Sequence, residues 1–199
     1  MLSTLIFSTV VLALFIAPAE QHGSITTRRL FFPQYDISEF VGTPLPIWTY
    51  NSTSSPEIMC QVDVMVNMSR YHIIFNRSRH EDKGMSKKMT DLMEGKFMET
   101  TNDTMLVGPL SMLVTQTEKI LYDSPDYQCA VIEVTITGPA HGHSWYDLRV
   151  RNSSVTQGPS WDCREKFNIY ARNGTVRYTN DCQKILPLKG RRRRSKGWY

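Results

Sequence analysis

From Ile47 to Val150 the chain alternates short, β-prone apolar runs with breaks rich in Gly, Pro, Asn and Ser. Evenly spaced short strands of this kind are typical of an antiparallel sandwich or barrel. The charged, Met-rich residues 80–95 are expected to form a longer loop or a helical turn. The predicted strands are Ile47–Tyr50, Met59–Val66, Tyr71–Asn76, Lys96–Thr101, Met105–Val107, Ser111–Thr115, Lys119–Tyr122, Gln128–Thr137 and Ser144–Val150.

One helix is predicted late in the chain. Asp162 is a suitable N-cap, and Glu165 three residues later completes a capping-box-like pattern. Phe167 and Tyr170 then lie near one face of the helix, and Asn173-Gly174 is expected to end it. A short strand, Thr175–Tyr178, leads to Cys182. Many strands followed by one helix favour a closed barrel around a cavity for one small ligand.

The first residues are predicted to be a secretory signal. The apolar run from Leu5 to Ile16 is followed by Ala17-Pro18-Ala19, which offers small residues at the two positions that signal peptidase reads. The run is shorter than the about 20 residues of a membrane span. We therefore expect a signal peptide over residues 1–19, a lead-in segment over residues 20–46, a barrel domain over residues 47–188 and a basic tail over residues 189–199.

The composition fits a secreted, extracellular protein. Four cysteines, an even number, predict two disulfides, with three connectivities open. There is no Cys-x-x-Cys pair, so we expect neither a metal site nor a cofactor. The cysteines are Cys60, Cys129, Cys163 and Cys182. Six sequons predict surface N-glycosylation, and they begin at Asn51, Asn67, Asn76, Asn102, Asn152 and Asn173.

The net charge of +4 is unevenly distributed. Six basic side chains between residues 189 and 196 supply +6, so residues 1–188 carry −2. The body therefore has no nucleic-acid footprint, and we expect neither nucleic-acid nor membrane partners. Three interpretations of the tail stay open: binding to a glycosaminoglycan such as heparan sulfate, cleavage after Arg194 by a furin-type protease, or a solvated, disordered extension.

Several segments match one known family in order and spacing. They are Ile47-Trp48-Thr49-Tyr50, Cys60, Tyr127-Gln128-Cys129-Ala130-Val131, Trp145-Tyr146-Asp147-Leu148-Arg149-Val150, Cys163 with Phe167, Tyr178, and Asp181-Cys182. Over residues from about 40 to 186 the chain resembles the salivary histamine-binding lipocalins of ticks. The resemblance implies a mostly β fold, a lipocalin-like eight-stranded antiparallel β-barrel with a C-terminal α-helix. It also implies the pairs Cys60–Cys182 and Cys129–Cys163.

The amine-binding members of that family share Cys-Asp-aliphatic, a spacer and then Glu-Leu-Trp/Tyr. This chain has Ala130 in place of the Asp, Asp147 in place of the Glu, and Arg149 in place of the aromatic residue. Side chains alternate between the two faces of a strand. If the motif positions face the cavity, the residues that line it are Ala130, Ile132, Val134, Ile136, Trp145, Asp147 and Arg149, and those that face outward are Cys129, Val131, Glu133, Tyr146, Leu148 and Val150.

Two kinds of ligand fit this set. Asp147 would anchor an ammonium group, with Trp145 and Trp48 as ring partners, although Arg149 competes for the same carboxylate. An aliphatic wall that includes Ala130 and Ile132, beside an inward arginine, suits instead a lipid with a carboxylate head group.

The resemblance implies a secreted salivary lipocalin that sequesters small host inflammatory mediators, foremost histamine or serotonin, to suppress host defence. The alternatives are a scavenger of acidic lipid mediators such as leukotrienes, and a protein- or glycosaminoglycan-binding scaffold. The chain has no nucleophile elbow, P-loop or His-Glu-x-x-His motif, so we do not expect an enzyme. His141-Gly142-His143 is expected to be a pair of solvated loop histidines.

Overall fold

The computed structural model describes residues 34–55, 58–81, 84–138 and 142–187. The expected signal peptide over residues 1–19 and the basic tail over residues 189–199 lie outside the described residues, as does His141.

Two helices and nine strands make up the described chain, together with a short 3₁₀ helix, Asn180–Ile185. Strands β1 to β8 pair antiparallel in chain order, and β1 pairs with both β8 and β2, which closes an eight-stranded barrel. The predicted fold class is thus confirmed. The elements are α1 (Ile37–Val41), β1 (Ile47–Ser52), β2 (Met59–Met68), β3 (His72–His80), β4 (Lys88–Phe97), β5 (Thr104–Pro109), β6 (Gln116–Asp123), β7 (Cys129–Ile136), β8 (Ser144–Arg151), α2 (Trp161–Tyr170) and β9 (Thr175–Val176), the last paired with β1.

Strand alternation divides the apolar side chains into two cores. The inner core fills the barrel and includes Ile73, Phe75, Ala130, Ile132 and Val134. The outer core lies between the barrel wall and α2, and its members include Val131, Leu148, Val150, Phe167 and Cys163. The alternation predicted for β7 and β8 is confirmed, because neighbouring residues of each strand belong to different cores.

Helix α1 closes one end of the barrel, which we call the closed end. Ile37 and Phe40 are fully buried within the inner core. The guanidinium of Arg151 donates hydrogen bonds of 2.8 and 2.7 Å to the carbonyl oxygens of Glu39 and Phe40. The backbone amide of Ile37 donates to the carbonyl of Asn102, at 2.9 Å. The described part of the lead-in segment, residues 34–46, therefore contributes to the barrel core.

Two disulfides fasten the C-terminal segments to the barrel. Cys60 of β2 pairs with Cys182 of the 3₁₀ helix, and Cys129 of β7 pairs with Cys163 of α2. These are the pairs that the resemblance implies.

The cap predicted for α2 is wrong. The helix begins after Ser160, so Asp162 lies in its first turn, where it accepts a hydrogen bond from the Tyr122 hydroxyl. The helix also ends at Tyr170, before the predicted Asn173-Gly174 stop. At Gly174 the chain passes so close to α2 that a Cβ atom would lie 2.5 Å from the Phe167 ring.

Two further predictions fail in the middle of the barrel. The loop or helical turn predicted over residues 80–95 is wrong in its second half, because β4 begins at Lys88 and ends at Phe97, where the sequence favours a strand only over Lys96–Thr101. The predicted strand Ser111–Thr115 is instead part of the turn between β5 and β6. Ser111 there has a positive φ of 61°, which ends the extended backbone.

Candidate ligand-binding cavity

A cavity of about 480 Å³ occupies the end of the barrel opposite α1, which we call the open end. Its volume lies in the range of about 300–1,000 Å³ that holds most small-molecule ligands. Apolar side chains form part of its wall, and these are Ile58, Met93, Pro109, Ile136 and Trp145. Polar groups from β1, β2 and β6 complete it, among them Thr49, Ser52, Gln61 and Gln116.

Five charged side chains form a layer across the barrel beneath this cavity, and we call it the ionic floor: Asp63, Arg77, Glu118, Asp147 and Arg149. Arg77 donates two hydrogen bonds to Asp63, at 2.8 and 2.7 Å, and a third to Glu118, at 2.9 Å. Arg149 donates to the other oxygen of Glu118, at 2.5 Å, and to Asp147, at 3.1 Å. The layer joins side chains from four strands.

Glu118 is the centre of the ionic floor. Its side chain is fully buried, and Gln116 donates to it at 2.6 Å in addition to the two arginines. Burial by itself raises the pKa of a carboxyl, but the charges of Arg149 and Arg77 outweigh that effect and lower the pKa of Glu118 to about 2. Glu118 is therefore ionised at neutral pH, as are the two arginines that it joins.

Asp147 has a different electrostatic balance from Glu118. Burial raises the pKa of Asp147 above its usual value, and the opposing effects of Arg149 and Ser52 offset this only in part. The Ser52 hydroxyl donates to one carboxylate oxygen of Asp147, at 2.7 Å, and Arg149 donates to the other. Both oxygens of this carboxylate are thus already engaged within the protein.

The free energy of unfolding at acid pH should depend on the ionisation of Glu118. A carboxyl whose pKa is depressed by folding contributes stability above its unfolded pKa, and that contribution is lost as pH falls toward the folded pKa. The free energy of unfolding should therefore fall between about pH 4.5 and pH 2, with Glu118 contributing up to about 1.4 kcal/mol per pH unit. Urea unfolding across this range should show a shallower fall for Glu118→Gln. An unchanged slope would contradict the assignment.

Arginines dominate the charge of the cavity lining. Arg77, Arg79, Arg149 and Arg177 line it, against two aspartates, Asp91 and Asp147. Arg79 pairs with Asp91 at 2.5 Å, and Arg177 donates to the backbone carbonyl of Ser54 at 2.8 Å. The lining thus carries a formal charge of +2 at neutral pH, with the histidine counted as neutral. Asp63 and Glu118, which bind Arg77 and Arg149 from beneath the cavity, bring the sum to zero.

The structure places three of the six predicted ligand residues at this cavity and three elsewhere. Trp145, Asp147 and Arg149 line it. Ala130 and Ile132 point into the barrel as predicted, but they are fully buried in the inner core and do not line the cavity. Trp48 contradicts the expectation, because it lies in the outer core, where its indole Nε1 donates to Asn152 at 2.8 Å and its ring contacts Tyr178.

Three members of the ionic floor were missed by sequence reasoning: Asp63, Arg77 and Glu118. Their position in the two-residue alternation of each strand is the signal that indicates them. Arg77 lies on the same face of its strand as Ile73 and Phe75, and Glu118 lies on the same face as Ile120. A charged residue in phase with buried apolar neighbours indicates an inward-facing ion.

Among the described residues, no group of three or more His, Cys, Asp or Glu side chains is placed to hold a metal ion. The described helices include none that is long and apolar enough to cross a membrane.

An eight-stranded up-and-down barrel with a helix packed on its outer wall defines the fold. The barrel is lipocalin-like. No protein-family model matches the chain, and no curated protein sequence matches it.

The barrel is similar to several solved structures at low sequence identity. Japanin from Rhipicephalus appendiculatus, in a structure bound to cholesterol, is 8% identical with a TM-score of 0.49, over 67% of this chain and 91% of that one. The siderocalin Ex-FABP is 14% identical with a TM-score of 0.46, over 65% and 84%. A bovine odorant-binding protein mutant is 15% identical with a TM-score of 0.46, over 66% and 90%.

Proposed function

We propose that this chain is a secreted binding protein that captures one small amphipathic molecule in the open cavity, with an anionic head group against the cavity's arginines. The observation that carries the proposal is the charge arrangement at the cavity. Four arginines line it, and the Asp147 carboxylate at its floor is already engaged by Arg149 and Ser52.

An arginine suits this role because its planar guanidinium binds a carboxylate or phosphate through two parallel hydrogen bonds. The apolar part of the ligand would lie against Met93, Ile136 and the partly buried Trp145. Capture is stoichiometric in this proposal, with no chemical turnover.

A biogenic amine, the ligand that the tick family resemblance places first, is a less suitable guest for this cavity. An ammonium group at Asp147 would have to displace Arg149, and a buried charge that loses its partner is costly. Trp48 does not supply an aromatic face in the cavity, since it lies in the outer core. We therefore place acidic lipid mediators before histamine and serotonin, and the biological role we propose is their removal from host tissue.

The variant Asp147→Asn separates the two ligands. It removes a competing charge but keeps an oxygen that can accept from Ser52. If the ligand is acidic, this variant should bind it as tightly as the wild type or more tightly, because one negative charge is removed from the cavity floor while Arg149 stays bound to Glu118. If the ligand is an amine, binding should weaken more than about 30-fold.

The measurement is isothermal titration calorimetry of the secreted chain with leukotriene C4, histamine and serotonin. Glu165→Gln, the same change of charge at an exposed position of α2, is the matched control and should leave all three titrations unaltered. Amine binding that is lost in Asp147→Asn would overturn the preference for acidic ligands. Failure of all three to bind the wild type would overturn the proposal that the cavity captures small mediators.

A further inference from the structure

A second depression lies at the closed end of the barrel, beside α1. It is a groove of about 480 Å³ that we call the α1 groove. Its lining includes Asp36 and Ser38 from the start of α1, Arg70 and Tyr71 from the β2–β3 turn, and Phe97 and Asn102 from the end of β4 and the turn that follows. The proposed ligand cavity opens at the other end of the barrel and shares none of these residues.

The chemistry of the α1 groove suits a sugar ring. Tyr71 presents an aromatic ring with 59% of the residue exposed, which is unusual for so large a side chain. The Arg70 guanidinium lies 5.8 Å from the centre of that ring. One face of a pyranose is covered by C–H groups and packs on an aromatic ring, while its hydroxyl and acetamido groups need hydrogen-bond partners around the edge. Arg70, Asp36 and Glu99 are such partners.

Asn102 places an N-glycosylation sequon at this groove. It is exposed, it begins the sequon Asn102-Asp103-Thr104, and it lines the groove itself. Two other sequon asparagines, Asn67 and Asn173, are equally open to solvent. By contrast, Asn152 is partly buried, and its side-chain oxygen accepts hydrogen bonds from both Trp48 and Gln183, each at 2.8 Å.

We propose that Asn102 carries an N-linked glycan whose first N-acetylglucosamine lies in the α1 groove against Tyr71. Placed there, the sugar covers the first turn of α1. That turn is held by the bond from the Ile37 amide to the Asn102 carbonyl and by the Asp36 side chain, which accepts from the Ser38 amide at 2.9 Å. The glycan thus holds the helix that closes the barrel. The inference rests on the secretion part of the proposed function, not on the ligand.

The test uses the full chain secreted from eukaryotic cells, with its glycans trimmed enzymatically to one N-acetylglucosamine per site. Glycopeptide mass spectrometry measures occupancy at Asn102, and hydrogen exchange follows the amides of residues 34–42. We expect occupancy at Asn102, and exchange about three to ten times slower in the trimmed wild type than in Asn102→Gln. Tyr71→Ala should accelerate exchange as Asn102→Gln does, and the double variant should add nothing further.

The control is Asn173→Gln, which removes an exposed sequon after α2 and should leave the exchange of α1 unchanged. An unmodified Asn102 in the secreted chain would overturn the proposal. So would an occupied Asn102 with α1 exchange that neither Asn102→Gln nor Tyr71→Ala alters. The ligand titrations on Asn102→Gln report on the cavity separately, so the two proposals can fail independently.

Discussion

Replacing Glu118 with glutamine should lower the free energy of unfolding by about 3–5 kcal/mol. The side chain keeps its size, but two buried arginines lose the carboxylate that both of them bind. A buried ion pair that is broken on one side leaves an uncompensated charge in a region of low polarity, and this dominates the cost. Urea unfolding monitored by tryptophan fluorescence at neutral pH measures the loss.

The control for this experiment is Asp181→Asn. Asp181 pairs with Lys184 at 2.7 Å, but the two side chains are 62% and 82% exposed. A solvated pair of this kind contributes little to stability, because water screens the two charges. If Glu118→Gln cost no more than Asp181→Asn, the ionic floor would not be a unit that holds the strands together.

Removal of the Cys60–Cys182 disulfide by paired alanine substitution should lower the free energy of unfolding by about 5 kcal/mol. The sequence separation of 122 residues makes the unlinked unfolded chain much freer than the linked one. Cys129–Cys163, with a separation of 34, is the internal comparison and should cost about 4 kcal/mol.

Denaturant unfolding of the two double-alanine variants under non-reducing conditions measures both losses. All four cysteines are almost completely buried, so the two variants also lose comparable packing. A larger loss for Cys129–Cys163 would mean that the attachment of α2 to the outer core, and not the freedom of the unfolded chain, decides the contribution.

The strands with a continuous apolar face could be predicted from the sequence, and the strand with a mixed face could not. The positions of β7 and β8 are predicted to within two residues because β7 is rich in β-branched residues and β8 has an apolar outward face, formed by Tyr146, Leu148 and Val150. The inward face of β4 includes Asp91 and Gly95, which lower its β-propensity. A Cβ atom at Gly95 would lie 2.9 Å from the sulfur of Met105, so a larger residue there would displace that buried side chain, a constraint that only the folded barrel imposes.

The apolar residues of the turn between β5 and β6 favour a strand that the structure does not contain. Met112 and Leu113 are 72% and 87% exposed, so their hydrophobicity does not indicate burial.

The candidate site could be predicted from the sequence only in part. Alternation placed Trp145, Asp147 and Arg149 on one face of β8, but the partners of Arg149 come from β6 and β2, which are far away in sequence. Such pairings depend on the register between strands, which local patterns do not encode.

The ionic floor separates the packed half of the barrel from the half that contains the cavity. Toward α1 the interior is packed with apolar side chains, and the remaining space beside Asp63 and Arg149 is about 20 Å³. Toward the open end the walls have room for a guest. Substitutions at rim positions such as Gln61, Thr115 or His143 touch neither the packed half nor the floor's ion pairs, so their effect on stability should be small. A lineage carrying this barrel can therefore exchange one ligand for another through few mutations, while the closed half preserves the fold in which each new specificity is tried.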